Sequence, residues 1–134
     1  MKLSIIKYPD RRLTSTCDVV RKITPRLRSV IDSMEHILYK ESALGLAAPQ
    51  VGILKRFFIF REVESGRVVK VINPFIIPAS DKQVSAEEGC LSIPFTRVVV
   101  PRWEAITLSY FDVDEKCHWV TYEGLSARII QHEY

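Results

Sequence analysis

Three short segments of this 134-residue sequence carry side chains that can do chemistry together. They read GLAAPQ at residues 45–50, EGCLS at residues 88–92 and QHE at residues 131–133. Among them are a cysteine thiol, a histidine imidazole, glutamate carboxylates and a glutamine amide. A thiolate and an imidazole can bind a divalent metal ion, a carboxylate can move a proton, and an amide can stabilise an oxyanion. The three segments together therefore indicate a metal centre that activates water.

The pair of His132 and Glu133 is weak evidence when it is taken alone. The two-histidine helix motif H-E-x-x-H requires a second histidine four residues after His132, and the given sequence ends at Tyr134. By itself the pair is more typical of a half-exposed helix end than of a metal site.

Cys90 stands in a more informative setting. A single cysteine is usually a small buried apolar residue, but this one follows the polar run EEG at residues 87–89. Gly89 permits a close approach of the backbone to a ligand, so the setting favours a functional thiol. The segment at residues 45–50, by contrast, is by itself more typical of a tight, non-helical connection between a helix and a strand.

Length and composition predict one soluble domain over residues 1–134. Hydrophobic residues make up 47% of the chain and the formal net charge is +3, with no basic stripe of the kind that a nucleic-acid interface needs. The chain has three cysteines without C-x-x-C spacing, which argues against a disulfide framework. We find no secretory signal and no apolar run of membrane-spanning length. These features favour a reducing compartment, with no membrane and no specific nucleic acid as partner.

A helix is predicted to begin after Thr24, which can cap it, and Pro25 suits its first turn. Its apolar positions recur with helical spacing, and they are Leu27, Val30, Ile31, Met34, Ile37 and Leu38. A second helix is predicted from Leu125, where Leu125, Ile129 and His132 fall on one face.

Short strands are predicted between the two helices. Their ranges are 56–60, 68–72, 75–77, 97–100, 106–111 and 118–122. A break is expected at Asn73 and Pro74, and another at Pro101, because proline cannot donate to a strand ladder. The predicted fold class is α+β, with antiparallel short-stranded sheets packed around the motif-bearing C-terminal helix and a further helix in the N-terminal half.

Jointly and in this order, the three segments resemble the signature set of the peptide deformylase family, G-x-G-x-A-A-x-Q, E-G-C-x-S and H-E-x-x-H. The sequences KYPD at residues 7–10 and INP at residues 72–74 are also similar to family segments. Ala43 stands where the family has its first glycine. The second metal histidine and the usual C-terminal helix are absent from the given sequence, and some bacterial and phage-encoded members are similar in lacking that helix.

The resemblance implies a hydrolase that removes the N-formyl group from N-formylmethionine of nascent polypeptides and releases formate. Cys90 and His132 would bind a divalent metal, natively Fe²⁺, for which Zn²⁺, Ni²⁺ or Co²⁺ can substitute. Metal-bound hydroxide would attack the formyl carbon, with Glu133 as general base and then general acid. The side-chain amide of Gln50 and the backbone N–H of Leu91 would stabilise the oxyanion.

The resemblance also assigns supporting roles. Glu88 and Arg102 would form an ion pair that holds the loop of Gln50, and the backbone of Gly45 would bond the peptide as an added strand. An apolar slot would take the methionine side chain, and the candidates for lining or flanking it are Leu44, Leu125, Ile129 and Arg97.

Three functions stay open at this point. The first is an active deformylase whose third ligand lies beyond the given end or comes from elsewhere. The second is a deformylase-like peptide-binding module without turnover, because the second metal histidine is absent, and the third is a metallohydrolase that acts on another amide. The first is favoured, with N-formylmethionyl peptides as substrate, the ribosome near the nascent-chain exit as a candidate partner, a monomeric state, and a cytoplasmic location in a bacterium or a phage-infected host.

Overall fold

The computed structural model of the chain describes residues 3–7, 10–14, 17–90 and 93–134. Two α-helices lie in this part of the chain, α1 (Pro25–Lys40) and α2 (Gly124–Glu133). The strands described are β1 (Gly45–Ala47), β2 (Phe57–Arg61), β3 (Val68–Pro78), β4 (Gln83–Cys90), β5 (Ile93–Trp103), β6 (Ala105–Phe111) and β7 (Cys117–Glu123). Neither of these helices has the length and apolar character that a membrane span requires.

Helix α1 begins as its sequence predicts. The Thr24 hydroxyl accepts a hydrogen bond from the Leu27 amide at 3.1 Å, which satisfies one of the N–H groups that a helix start leaves without a partner. Pro25 occupies the first turn, where its missing N–H costs nothing. The buried face of α1 consists of Val30, Ile31, Met34 and Leu38.

The strands form two antiparallel sheets. The larger has the order β1-β2-β3-β6-β7, and β4 pairs with β5 in a separate hairpin. This arrangement confirms the predicted α+β class with antiparallel sheets. The description of the strands as short is wrong for β3 and β5, which have 11 residues each.

The predicted break at Asn73 and Pro74 is wrong. β3 runs through both residues with a bulge, because the pairing register with β6 shifts between Ile72 and Phe75. Asn73 adopts a left-handed φ of 52°, which asparagine tolerates better than most residues. Its side chain also pairs with the backbone of Val20, accepting from the amide and donating to the carbonyl at 2.8 Å each. These bonds stabilise a conformation that absorbs the proline without ending the strand.

Other strand predictions need correction as well. β5 continues through Pro101, which pairs with Ser85, so the proline lies within the hairpin and does not end it. The strand β4 was not predicted, because its sequence QVSAEEGC is mostly polar. Residues 45–50 are not a plain connection, since they contribute β1 and a 3₁₀ turn (Ala48–Val51).

Helix α2 joins the two sheets. It contacts β1, β2, β6 and β7 of the larger sheet and β5 of the hairpin. Two apolar cores result. One packs α1 against the larger sheet, and the other packs Ala127, Ile129 and Ile130 of α2 against Phe58 and its neighbours. This packing holds the part of α2 that precedes its last turn in place.

Replacement of Asn73 tests the bulge. Asn73→Gly keeps the left-handed backbone but removes two hydrogen bonds, and we expect it to lower the free energy of unfolding by about 1–3 kcal/mol. Asn73→Ala adds the strain of a side chain at positive φ, so its cost should be about 1–2 kcal/mol larger. Urea unfolding measures both values. Equal stability of the glycine and alanine variants would contradict the role of the left-handed backbone.

The carboxylate of Glu62, which follows β2, should make the stability of the fold depend on pH. Hydrogen bonds from Ser65 and Tyr122 lower the pKa of Glu62 and outweigh the opposing effect of burial. A lowered folded-state pKa stabilises the fold above the unfolded value, near 4.5, and this stability is lost as the pH falls below it. Tyr122→Phe should therefore cost about 1–2 kcal/mol at pH 7, and the cost should shrink in acid. Tyr39→Phe, at an exposed tyrosine, is the control, and an equal acid response of all three proteins would refute the assignment.

Candidate active site

His132 is held by a carboxylate from another part of the fold. It lies in the last turn of α2, and its Nδ1 is 2.8 Å from Oε1 of Glu88 on β4. Because Nδ1 faces a carboxylate oxygen, the proton of a neutral imidazole resides on Nδ1. The lone pair is then on Nε2, which is the tautomer that a metal ligand needs.

The Glu88 carboxylate receives two further side chains. Arg102 of β5 donates from Nη2 to Oε1 at 3.0 Å and from Nε to Oε2 at 3.2 Å. Arg128 of α2 donates from Nη1 to Oε2 at 2.6 Å. Burial by itself raises the pKa of Glu88, but the bonds from Arg102, His132 and Arg128 outweigh it and hold the pKa at about 2. Glu88 is therefore an anion throughout the neutral range, and its buried charge is compensated.

Glu133 is the most deeply buried acid of the site, with a side chain 5% exposed. Its Oε1 lies 3.8 Å from Nε2 of His132, and its Oε2 is buried without a hydrogen-bond partner among the described residues. Burial raises the pKa of Glu133 to about 7; His132 opposes this rise and the charge of Glu88 adds to it. A carboxyl group of this kind can take up and release a proton near neutral pH.

The approach of Glu133 to β1 depends on Gly45. A Cβ atom at position 45 would lie 2.8 Å from Cγ and 3.1 Å from Cδ of Glu133. Real Cβ atoms do not approach other atoms that closely, so the missing side chain is what allows the helix and the strand to meet here. β1 is also the first strand in the order of the larger sheet, paired with β2 on one side.

Gln50 lies in the 3₁₀ turn that follows β1 and is buried. Its Oε1 accepts a hydrogen bond from the Ala47 amide at 2.8 Å. This bond fixes which end of the amide faces the strand, and the NH₂ group is directed away from Ala47. The turn thus presents an oriented amide donor next to β1.

The side chains proposed for the apolar slot have different environments. Leu44 and Leu125 are exposed, whereas Ile129 is buried in the core that α2 forms with the larger sheet. Ile129 therefore packs at least in part as a core residue. A slot that takes a methionine side chain stays a prediction.

Three predicted site residues cannot be placed by their side chains. The backbones of Cys90 and Arg97 belong to β4 and β5, where Cys90 pairs with Ile93 and Gly89 pairs with Arg97. The side chains of Cys90 and Arg97, and the whole of Leu91, lie outside the described residues. Their roles stay predictions.

Among the described contacts, those of Glu88 reach Arg102 and α2. Glu88 and Arg102 form an ion pair, and the Glu88 carboxylate also contacts Arg128 and His132. The further prediction that the pair holds the loop of Gln50 remains a prediction.

Two residues of α2 were missed from the sequence. Arg128 precedes His132 by four residues and shares its helix face, a spacing that could have identified it. Gln131 accepts from the Trp103 amide and donates to the Trp103 carbonyl at 2.8 Å each, which ties α2 to the end of β5. Because Gln131 binds backbone groups, no pattern of side chains in the sequence predicts this contact.

The residues present suit a metal ion. Glu88 sets the tautomer of His132 that a metal ligand needs. A thiolate and an imidazole together suit Fe²⁺, Zn²⁺, Ni²⁺ or Co²⁺, but the role of Cys90 as the thiolate ligand stays a prediction. Within the residues whose side chains are described, which do not include Cys90, no group of three or more His, Cys, Asp or Glu side chains is arranged for a metal.

Comparison with known proteins gives a consistent result. A family model described as polypeptide deformylase matches residues 2–134. The chain is 39% identical to a peptide deformylase of Rickettsia canadensis over 140 residues, covering 98% of this chain and 80% of the relative. It is 37% identical to a peptide deformylase of Wolbachia sp. subsp. Brugia malayi, with the same coverage.

Solved structures of peptide deformylases are also similar to this chain. The crystal structure of peptide deformylase from Thermotoga maritima superposes with a TM-score of 0.93 at 36% identity, covering 99% of this chain and 89% of that one. A probable peptide deformylase from synechococcus phage S-SSM7 gives a TM-score of 0.91 at 33% identity, with 98% and 91% coverage.

Crowding between Gly45 and Glu133 can be measured as a coupling energy. Gly45→Ala places a methyl group 2.8 Å from Cγ of Glu133, and we expect it to lower the free energy of unfolding by about 1–3 kcal/mol. In a Glu133→Ala background the methyl group has room, so the cost should fall close to zero. Urea unfolding of the four proteins in this double-mutant cycle gives the coupling.

A matched variant separates volume from charge in this cycle. Glu133→Gln keeps the size of the side chain, so the full cost of Gly45→Ala should persist in that background. If the cost were the same in the Glu133→Ala background as in the unchanged chain, the close approach described above would not exist in solution.

Proposed function

The chain belongs to the peptide deformylase family of metal-dependent enzymes, and from this we propose that it removes the formyl group from N-formylmethionine of nascent polypeptides and releases formate. The observation that carries the proposal is the geometry at the end of α2. There the buried carboxyl of Glu133 lies beside His132, whose imidazole is oriented by Glu88.

Cys90 and His132 are the proposed protein ligands of the metal, with Fe²⁺ as the native ion. A divalent metal at this position supplies a Lewis acid that lowers the pKa of a water molecule. The H-E-x-x-H motif has its further histidine four residues after His132, a position that follows Tyr134 and the end of the given sequence.

Glu133 is proposed as the proton carrier. Its carboxyl is buried beside His132, and its Oε2 has no hydrogen-bond partner among the described residues, so this atom is available to an attacking water. Glu133 would accept the proton of that water and then donate it to the leaving amine. A positioned general base of this kind typically contributes about 10²–10⁴ in rate.

Oxyanion stabilisation is assigned to the Gln50 amide and the Leu91 backbone N–H. The hydrogen bond from Ala47 to Oε1 supports the role of Gln50, because it orients the NH₂ end as a donor before substrate binds. A donor that is oriented in advance loses no energy to reorganisation during the reaction. Loss of one such donor typically lowers kcat by about 10²–10³.

The substrate peptide is proposed to add to the edge of β1. An edge strand offers backbone groups to an extended peptide, and Gly45 lies where that strand meets Glu133. The exposed apolar side chains of Leu44 and Leu125 suit contact with methionine. Ile129 and Arg97 complete the proposed slot.

The substrate also suggests where the reaction takes place. N-formylmethionine stands at the start of newly made polypeptides, so the proposed partners are nascent chains near the ribosomal exit. The proposed location is the cytosol of a bacterium or of a phage-infected host. We propose that a monomer acts on them.

Formate release from a formyl-Met-Ala-Ser peptide tests the function. We expect turnover by protein loaded with Ni²⁺ or Fe²⁺, and Glu133→Ala should lower kcat by about 10²–10⁴ while metal content is retained. Glu123→Ala, at an exposed acid that ends β7 just before α2, is the matched control and should leave turnover unchanged.

A second protein in the assay carries an extension with a histidine four residues after His132. Turnover by the extended chain alone would identify that residue as the third ligand and support the proposal. If neither form releases formate although both bind metal and the peptide, the chain is a peptide-binding module and the proposal is wrong. Metal-dependent hydrolysis of other amides without formate release would identify the chain as a metallohydrolase with a different substrate.

A further inference from the structure

We propose that Arg128 is a positioning residue, which sets the distance between α2 and the β4–β5 hairpin and thereby holds Glu88 against His132. The proposal rests on the proposed function of the site in one respect only, that His132 binds metal. Its structural part concerns contacts within this chain and can be tested without turnover.

Arg128 is buried more deeply than the other arginine at Glu88. Its side chain is 11% exposed, compared with 26% for Arg102. A guanidinium group removed from water must have hydrogen-bond partners, because an unpaired buried charge is costly. Arg128 donates from Nη1 to Glu88 and to the Val100 carbonyl at 2.7 Å, and from Nη2 to the Val84 carbonyl.

These contacts extend across the hairpin. Val84 and Glu88 belong to β4, and Val100 belongs to β5, so one guanidinium from α2 binds both strands. Of these bonds, one goes to a side chain and two go to backbone carbonyls. The carbonyls are fixed by strand pairing and give Arg128 a rigid support.

Arg102 cannot do the same. Arg102 pairs with Val84 across the hairpin that also contains Glu88, so an ion pair between Glu88 and Arg102 is internal to the hairpin. It stabilises the negative charge without setting where the hairpin lies relative to the helix. Arg128 shares a helix with His132, one turn away, and so couples the position of Glu88 to that of the imidazole.

The geometry requires arginine and not merely a positive charge. The guanidinium is a planar fork with five N–H donors, which can reach a carboxylate and two separate carbonyls at once. A lysine ammonium offers its donors from a single atom and cannot span these acceptors. Arg128→Lys therefore keeps the charge while it removes the bridge.

Without the bridge, Glu88 keeps Arg102, and Gln131 still ties α2 to Trp103 at the end of β5. Among the described contacts of Glu88, the bond to His132 alone then holds it against α2. The bond between Glu88 and Nδ1 of His132 should then lengthen or exchange with water. Loss of a residue that orients a metal ligand typically lowers metal affinity by about 10–100-fold.

The test compares Arg128→Lys with Arg26→Lys, a matched change at an exposed residue of α1. In metal-free protein labelled with ¹⁵N-histidine, the Nδ1–H signal of His132 should be slow to exchange in the unchanged chain and in Arg26→Lys. It should be lost in Arg128→Lys. This signal reports the imidazole bond directly and does not depend on activity.

Co²⁺ affinity, measured by competition with a chelator, supplies a second readout. We expect a loss of about 10–100-fold in Arg128→Lys and no change in Arg26→Lys. If the unchanged chain removes the formyl group from its substrate, kcat should fall in Arg128→Lys with KM little altered. A protected Nδ1–H together with unchanged Co²⁺ affinity in Arg128→Lys would overturn the proposal.

A measurement on the unchanged chain covers the case in which Arg128→Lys does not fold. The Nη protons of a guanidinium held by Glu88 and two carbonyls should give separate, slowly exchanging signals, and a single averaged signal would refute the bridge. Failure of the proposed function is distinguishable, since it would appear as absent formate release by both the unchanged and the extended chain with these signals intact.

Discussion

One buried negative charge constrains the site. Glu88 lies where the β4–β5 hairpin meets α2, and its carboxylate accepts hydrogen bonds from Arg102, Arg128 and His132. Removing such a charge from water is costly unless all its acceptor positions are occupied. The hairpin and the helix must therefore approach until their donors reach the same carboxylate, and this requirement orients the imidazole as a by-product of satisfying the ion.

A steric constraint acts on the same turn of α2, through Glu133. β1 and the helix approach so closely that position 45 has no room for a Cβ atom beside Glu133. The Glu133 carboxyl is buried there, and this burial raises its pKa. Electrostatic attraction at His132 and close packing at Glu133 together fix the last turn of α2.

Local signals explain which parts of this arrangement could be predicted. The cap at Thr24 and the apolar stripe of α1 are encoded within a few residues, so the sequence predicts that helix correctly. The bulge at Asn73 was missed because a bond to Val20, 53 residues away, stabilises what would otherwise be a strand end. The spacing of four residues places Arg128 on the helix face of His132, but its partners, a distant carboxylate and backbone carbonyls, cannot be identified from the sequence.

The carbonyl contacts of α2 have a consequence for which changes the hairpin can absorb. Arg128 and Gln131 bind the backbone carbonyls of Val84, Val100 and Trp103. A backbone carbonyl is the same group whichever side chain its residue has. Substitutions at these three positions should therefore be limited mainly by packing and, at Trp103, by the need for a backbone N–H that donates to Gln131. An inserted or deleted residue in β4 or β5 is different, because it moves every carbonyl beyond it by one step and turns it away from the helix. During evolution the sequence of this hairpin should therefore change by substitution of residues, with the lengths of β4 and β5 kept constant.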